Sequence, residues 1–457
     1  MSRPMPVRDY RWLSVEEMDD FDVLTEVDEA DDATTGYFID VTLEYGEHYH
    51  VTHNSMPLAA ERLHITGEML SNYARGALEK TQKKKSTSYK ADKLSATFRP
   101  RERYVCHGVN LKFYLQMGMR IVKVHRIMTF TQEPFIRPYI DFCASMRAKS
   151  KSKSRSNIFK LAANAVSFYL FIYAYTIPPR NKKSFLQVYG KMIENSSNRM
   201  DTYFVQSRMD ALKRATDPRF KSSMILGDDL SISFMAKKEE KLNQLWNIGF
   251  SILELSKVHM LKLFYNVIRP TFNGKASILV SDTDSYIAAL GAPTVDHAIG
   301  LLKDAGHMDT SNYPKDHPLF SEENKNVPGL LKNECPADDL IECVGVRSKV
   351  YAIRSKKSMD SRCKGVKKAV RKMLRFEDFK TTVLGPEPKV VSVVQHTIQS
   401  KNHLNRLLRQ EKVAMSSFDD KRFLAVCGIH SYPYGSRLIE QEEYRSCFFC
   451  KNPRLFA

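Results

Sequence analysis

The stretch "ASILVSDTDSYIAAL", residues 276–290, places two aspartates, Asp282 and Asp284, between two short apolar runs. Residues 278–280 and 286–290 are each typical of a β-strand, and the Ser-Asp-Thr-Asp segment between them is typical of a tight turn. The sequence therefore predicts a β-hairpin with both carboxylates at its tip. An isolated Asp-x-Asp is most often only a turn, but carboxylate oxygens also suit Mg²⁺, whose sites are commonly completed by substrate phosphates.

The segments around this hairpin predict a mixed architecture. Residues 249–268, "GFSILELSKVHMLKLFYNVI", predict an apolar helix before it, and residues 344–355, "VGVRSKVYAIRS", predict a second strand pair after it. Residues 37–64 alternate like strands, a long helical pattern covers residues 137–166, and residues 364–422 are expected to be mostly helical and basic. Helices segregated around small antiparallel sheets indicate an α+β protein.

The charge of the chain points to a polyanionic partner. Seventy Lys and Arg residues exceed 52 Asp and Glu residues, which gives a formal net charge of +18 over 457 residues. Nucleic acid is the first candidate partner and an acidic membrane surface the second. The charge is uneven, with an acidic run at residues 16–32 and basic runs at 80–90 and 147–160, and such runs are also typical of solvated loops.

Cysteine usage and hydropathy favour a soluble intracellular protein. Eight cysteines are scattered without a framework, which is typical of a reduced compartment. The first twenty residues are polar and acidic, unlike a signal peptide. The most apolar segment, residues 167–179, is too short to span a bilayer and ends in two prolines. We therefore expect no membrane partner.

Four short motifs occur in one particular order along the chain. They are "KLAANAV" (160–166), "YGKMIEN" (189–195), "SDTDS" (281–285) and "KVY" (349–351). Each motif alone is weak, but the series resembles that of family B DNA polymerases. The segments "YPKDHPLF", "KGVKKAV" and "SSFDDKRF" are similar to the protein-primed branch, which serves linear plasmids, adenovirus-type viruses and Polinton-like transposons. The resemblance runs from Met1 to about Gly435.

The resemblance implies a right-hand polymerase fold, with an antiparallel palm sheet and helical fingers and thumb, truncated at the N-terminus. It implies DNA template-primer and deoxynucleoside triphosphates as ligands, Mg²⁺ or Mn²⁺ as cofactor, and a priming terminal protein as a further partner. The regions it implies are a palm-associated and terminal-protein-contacting part at 1–136, fingers at 137–200, a second insertion at 201–245, the palm at 246–360, and the thumb and tail at 361–457.

The resemblance also implies roles for individual residues. By its position in the motif, Asp284 would ligate the metals, with Asp282 beside it. In nucleotidyl transfer two metal ions stabilise the attacking oxygen and the leaving group. The remaining implied contacts are to nucleotide or DNA. Lys160, Asn164, Tyr189, Arg147 and Lys149 would bind the nucleotide, whereas Lys349 and Tyr351 would hold the primer strand.

Two departures from the family pattern affect this interpretation. Residues 166–187 separate the Lys-x-x-x-Asn element from Tyr-Gly, and removing these 22 residues would restore "KLAANAVYGKMIEN". Val166-Ser167 and Phe185-Leu186-Gln187 can be encoded by intron-like boundaries, so one hypothesis is a translated intron; the alternative is a surface loop, since exposed insertions are tolerated.

The second departure concerns the first catalytic carboxylate. In the family an Asp precedes a Leu-Tyr element, shortly followed by text similar to "MSRPMPVRDYRWLS", with which this chain begins. Asp9, Asp19 and Asp20 lack that strand context. We therefore expect the chain as written to lack this carboxylate and the preceding exonuclease region, and to be inactive because two-metal chemistry loses most of its rate without that ligand.

A weaker pattern lies near the C-terminus. Cys427, His430, Cys447 and Cys450 have spacings that can close a tetrahedral zinc site. Cys427 and His430, however, fall in text that matches the family without metal ligands. The sequence therefore favours an unstructured or mis-predicted tail over zinc.

Other functions remain open. A DNA-binding remnant without turnover would bind DNA in a salt-sensitive manner and extend no primer. A metal nuclease that uses Asp282 and Asp284 would leave Lys160 and Lys349 without roles. A reverse transcriptase normally carries adjacent aspartates in its hairpin.

Overall fold

The computed structural model describes most of the chain. Described residues are 2–82, 85–150, 152, 154–155, 157–159, 192–193, 195–240, 244–336, 339–385, 387–401, 404–442 and 447–451. The chain forms two compact units. One comprises residues 1–149, 253–397 and 409–457, and the other comprises residues 150–252 and 398–408.

The described elements confirm an α+β protein with predominantly antiparallel sheets. The strands are Met5–Trp12, Thr35–Tyr45, Glu61–Thr66, Lys90–Ser95, Arg101–His107, Met119–Glu133, Met200–Val205, Phe220–Gly227, Leu230–Ala236, Ala276–Asp282, Ser285–Leu290, Met308–Asp309, Leu331–Lys332, Leu340–Arg347, Val350–Ser355, Met359–Cys363, Val390–Lys401, Leu404–Ser416, Phe423–Leu424 and Ser431–Tyr432. The α-helices are Val15–Asp19, Val23–Glu26, Asn72–Gln82, Gly108–Gln116, Arg137–Ala148, Arg208–Ala215, Trp246–Lys262, Arg269–Thr271, Val295–Asp304, Lys368–Arg371, Phe376–Leu384, Arg437–Glu442 and Phe448–Lys451, and Leu263–Ile268 is a π-helix.

A four-stranded sheet organises the first unit. Its strand order is 5–12, 119–133, 35–45 and 101–107, and all of its pairings are antiparallel. Along the strand Thr35–Tyr45 every second side chain from Ile39 onward is buried, as the period of two predicts. This buried face packs against the helix Gly108–Gln116, the end of the helix Trp246–Lys262, and the π-helix, in one hydrophobic cluster.

A three-stranded antiparallel sheet organises the second unit. The strand Leu230–Ala236 lies between Met200–Val205 and Phe220–Gly227. The helix Arg208–Ala215 begins at Ser207, whose side chain accepts a hydrogen bond from the backbone N–H of Asp210. This cap satisfies one of the free donors at the helix start.

Two secondary-structure predictions are wrong. Residues 364–422 are not mostly helical, because they contain two short helices and the long paired strands Val390–Lys401 and Leu404–Ser416. The many β-branched residues of "VVSVVQHTI" favour a strand over a helix. The predicted helix 137–166 is not continuous, because the helix that begins at Arg137 ends at Ala148, where the Ser-Lys repeat offers no apolar stripe to pack. Residues 154–155 and 157–159 are helical again, and residues 160–166 lie outside the described residues.

The helices of the described part of the chain are all too short or too polar to cross a bilayer.

Candidate active site

The predicted hairpin is confirmed, and its tip is tight. Ala276–Asp282 pairs with Ser285–Leu290, with Asp282 opposite Ser285, so Thr283 and Asp284 form the loop. The Asp284 N–H donates to the Asp282 carbonyl oxygen at 2.7 Å. Thr283 has φ +61°, an unfavourable conformation for a β-branched residue. We call residues 276–290 the aspartate hairpin; its tip holds both carboxylates within one strained turn.

A second hairpin brings the Lys-x-Tyr motif to this tip. Leu340–Arg347 pairs with Val350–Ser355, with Arg347 opposite Val350, so Lys349 lies in the loop. Lys349 also has a positive φ, +61°, and its Nζ lies 2.9 Å from Oδ1 of Asp282. Both side chains are partly exposed, 55% and 38% respectively, and such pairs contribute little to stability. Two motifs that are far apart in sequence therefore meet at two strained loops.

The backbones of the two hairpins lie close together, and this packing holds Lys349 near Asp282. A Cβ built on Gly345 would lie 3.5 Å from the carbonyl oxygen of Leu279 and 3.6 Å from a methyl group of Val280, which is van der Waals distance. Gly345 also pairs directly with Tyr351 of the neighbouring strand. Tyr351 is half-buried and is the second residue of the strand Val350–Ser355, which begins directly after Lys349. The backbone geometry thus sets the Lys349 loop beside Asp282.

Asp284 differs from Asp282 in its surroundings. Its carboxylate is exposed and makes no hydrogen bond or ion pair with the residues that the structure describes. Thr283 and Asp284 border a cavity of about 670 Å³, within the size range of small-molecule sites. The other lining residues are Ser2, Arg3, Pro4, Asp28, Glu29, Ala30, Asp31, His107, Val109, Gln132, Arg137, Leu255, Ser256, Val258, His259, Met260, Lys262, Leu263, Pro328, Gly329, Leu330 and Leu331.

The cavity wall carries charges of both signs. Lys262 forms an ion pair with Glu29, and Asp31 pairs with Arg3 at 2.8 Å and with Arg137 at 3.3 Å. Residues 28–31 therefore bring carboxylates to the same cavity as Asp284. Sequence analysis did not single them out, because they belong to an acidic run and nothing in their spacing marks a site.

The aspartate hairpin is anchored to the helix before it. The Tyr286 hydroxyl donates to the Met260 carbonyl oxygen at 2.8 Å, and burial raises the pKa of this phenol, so it remains a donor. The helix continues into the π-helix Leu263–Ile268, where the Tyr265 hydroxyl donates to the Met56 carbonyl oxygen at 2.6 Å. Single π-helical turns are frequent next to functional sites.

His107 is a buried, uncharged wall residue of the cavity. Burial lowers the pKa of His107 to about 4, and its Nδ1 accepts a hydrogen bond from the Val109 N–H at 3.3 Å. The proton of the neutral ring therefore sits on Nε2. At neutral pH His107 therefore adds no positive charge to the cavity.

The remaining predicted site residues are not joined to the hairpins by described contacts. Arg147 is half-buried at the end of the helix Arg137–Ala148, and its Nε is buried without a hydrogen-bond partner among the described residues. Lys149 caps the C-terminal end of that helix. Lys160, Asn164 and Tyr189, and the insert 166–187, lie outside the described residues.

The donor chemistry of the aspartate hairpin fits a hard divalent cation. Two aspartates occupy one hairpin tip, where Asp282 is paired with Lys349 and Asp284 is not engaged by any described side chain. Mg²⁺ is usually bound by one or two carboxylates together with substrate phosphates. Neither a protein-family profile, nor a curated protein, nor a solved structure matches this chain.

Proposed function

We propose that this chain is the polymerase portion of a protein-primed family B DNA polymerase, with a right-hand fold. The reaction adds a deoxynucleotide to a primer 3′ end or, at initiation, to a hydroxyl of a priming protein. The 3′ oxygen attacks the α-phosphorus, a phosphodiester bond forms, and pyrophosphate leaves. The observation that carries this proposal is the ion pair between Asp282 and Lys349, because it joins two motifs whose order suggested the family.

Each residue has a separate task in this proposal. Asp282 and Asp284 would hold Mg²⁺ or Mn²⁺, which stabilises the attacking oxygen and the leaving pyrophosphate. Lys349, whose side chain is partly exposed, would pass from Asp282 to a primer phosphate, and Tyr351 would support the same strand. Lys160, Asn164, Tyr189, Arg147 and Lys149 are proposed to bind the triphosphate, where fixed cations offset its charge.

Primer extension tests this proposal. The wild-type chain is given a labelled primer-template, all four deoxynucleoside triphosphates, and Mg²⁺ or Mn²⁺. Any extension by the wild-type chain should fall about 100-fold or more in Asp284→Asn, since a metal ligand is lost. Asp304→Asn is the matched control, because Asp304 is an exposed aspartate at the end of the helix Val295–Asp304. Extension that is equal in the two variants would contradict the proposal.

A DNA-binding chain without turnover is the second candidate. It is favoured by the net charge of +18 and by the motif series, in which family-type catalytic carboxylates occur only in Asp-Thr-Asp-Ser. Salt-sensitive binding of the primer-template without extension would support this candidate. Cleavage of the DNA that is lost in Asp284→Asn would instead indicate a metal nuclease.

A further inference from the structure

Four metal-binding side chains meet near the C-terminus. The ligand atoms of Cys427, His430, Cys447 and Cys450 all lie within 4.8 Å of one another. Cys427 and His430 belong to the loop between the short paired strands Phe423–Leu424 and Ser431–Tyr432. Cys447 and Cys450 come from the helix Phe448–Lys451 and the residue before it. The fold thus brings together two pairs of potential metal ligands that are separated in sequence.

The distances within this cysteine-histidine cluster suit one tetrahedral ion. The Nδ1 atom of His430 lies 3.4 Å from the sulfur of Cys427, 3.3 Å from that of Cys447 and 3.5 Å from that of Cys450. In a tetrahedral zinc site with ordinary Zn–S and Zn–N bonds, a sulfur and a nitrogen are about 3.6 Å apart. All three measured separations are close to this value, so a zinc ion fits with small side-chain shifts.

The surrounding backbone is shaped to aim these ligands. Gly428 has φ +70°, and a Cβ on it would lie 2.7 Å from the ring of Tyr73, so a glycine is required between Cys427 and His430. The His430 backbone N–H donates to the Cys427 sulfur at 3.5 Å. The Tyr432 hydroxyl lies 3.5 Å from the Cys447 sulfur and accepts a hydrogen bond from the Phe448 N–H. Such outer contacts orient metal ligands and are typical of metal sites.

The apolar core beside the cluster is small. Its buried members are Ala425, Tyr432, Leu438, Cys447 and Phe449. A core of this size provides little burial free energy to hold the last helix on the hairpin. A metal ion that bridges the two segments would supply the missing stabilisation, since metal binding adds directly to folding free energy.

We propose that Cys427, His430, Cys447 and Cys450 bind one structural Zn²⁺ through three thiolates and the His430 Nδ1. Thiolate and imidazole ligands in a closed tetrahedral set favour Zn²⁺ over the harder cations. Each cysteine loses its proton on binding, so uptake of zinc releases protons. This inference reverses the expectation drawn from the sequence and is independent of the polymerase proposal.

Zinc content and cobalt spectroscopy test this site in the full chain. The protein is purified under reducing conditions and analysed for metal by mass spectrometry, and the apo protein is titrated with Co²⁺. We expect one zinc per chain, and with Co²⁺ the strong visible and near-ultraviolet bands of a tetrahedral thiolate site. Cys450→Ser should lower zinc affinity at least about 10-fold. Cys335→Ser, which removes a half-buried cysteine outside the cluster, should not.

The variant His430→Cys keeps the proposal testable if Cys450→Ser folds poorly. It retains four ligands, so it should bind one zinc, and its cobalt spectrum should shift to that of four thiolates. Zinc binding that is unchanged by Cys450→Ser would overturn the proposal. A chain that binds no zinc, or that contains a Cys447–Cys450 disulfide after purification under reduction, would also overturn it.

Discussion

Replacing Lys349 with alanine separates a functional role of this residue from a structural one. In the free protein Lys349 lies 2.9 Å from Asp282, with both side chains partly exposed. At this distance the Coulomb energy in water is about 1.4 kcal/mol, and side-chain entropy and screening reduce the net value to about 0.2–1 kcal/mol. We therefore expect Lys349→Ala to lower the free energy of unfolding by no more than about 1 kcal/mol.

The effect on DNA binding should be larger and dependent on salt. If Lys349 contacts one primer phosphate, its removal should reduce the slope of log affinity against log salt by about 0.9. The assay is fluorescence anisotropy of a labelled primer-template over a series of salt concentrations, with urea unfolding measured on the same samples. Affinity at low salt should fall several-fold.

A lysine at the other end of the same strand gives a matched control. Lys356 pairs with Asp339 at 2.7 Å with similar side-chain exposure, so Lys356→Ala should lose a comparable amount of stability. It should leave the salt slope unchanged, because Lys356 is not in the loop that meets Asp282. Equal salt slopes for the two variants would refute the role assigned to Lys349.

Three other predictions follow from the packing, the titration and the insert. Burial holds the pKa of His107 near 4, below its usual value of about 6.5, so the neutral ring stabilises the fold above pH 6.5 and this stability is lost as the pH falls toward 4. In urea unfolding, the stability lost between pH 7 and pH 5 should be smaller by about 2 kcal/mol in His107→Gln than in the wild-type chain, and unchanged in the control His297→Gln. The loss that remains in His107→Gln comes in part from His50 and His53, whose pKa values burial lowers as well. Gly67→Ala should destabilise the chain by about 1–3 kcal/mol, since its Cβ would meet the Ser86 carbonyl oxygen, whereas Gly76→Ala, in an open helical position, should stabilise it by about 0.5–1 kcal/mol in thermal unfolding. Sequencing of the transcript should show a mature message without the codons for residues 166–187, and a message that retains them would favour a surface loop.

The aspartate hairpin was predictable because its signals are local. Apolar runs of strand length flank a Ser-Asp-Thr-Asp turn, and the two strands pair across that turn. The long strands Val390–Lys401 and Leu404–Ser416 were less predictable, because apolar and polar residues are interspersed along them without strict alternation. The stability of a strand depends on side-chain contacts with the strand it pairs with, and the sequence of one strand alone does not show those contacts.

The neighbours of the site were less predictable than its motifs. The motif order suggested that Lys349 belongs near Asp282, and their ion pair agrees with that suggestion. The carboxylates of residues 28–31 reach the cavity only through the fold of the chain around the four-stranded sheet. The cysteine-histidine cluster was also only partly predictable. The spacing along the chain indicated the two ligand pairs, but their proximity to each other depends on the fold.

Iron-mediated cleavage of the backbone is the most direct test of the aspartate hairpin as a metal site. Fe²⁺ replaces Mg²⁺ at oxygen sites, and with ascorbate and peroxide it generates hydroxyl radicals that cut the chain nearby. With the purified protein and a deoxynucleoside triphosphate, we expect cuts at residues 282–285 that Mg²⁺ suppresses. Those cuts should disappear in Asp284→Asn and persist in Asp304→Asn. Cuts that map elsewhere, or that survive in Asp284→Asn, would contradict a divalent metal at this tip.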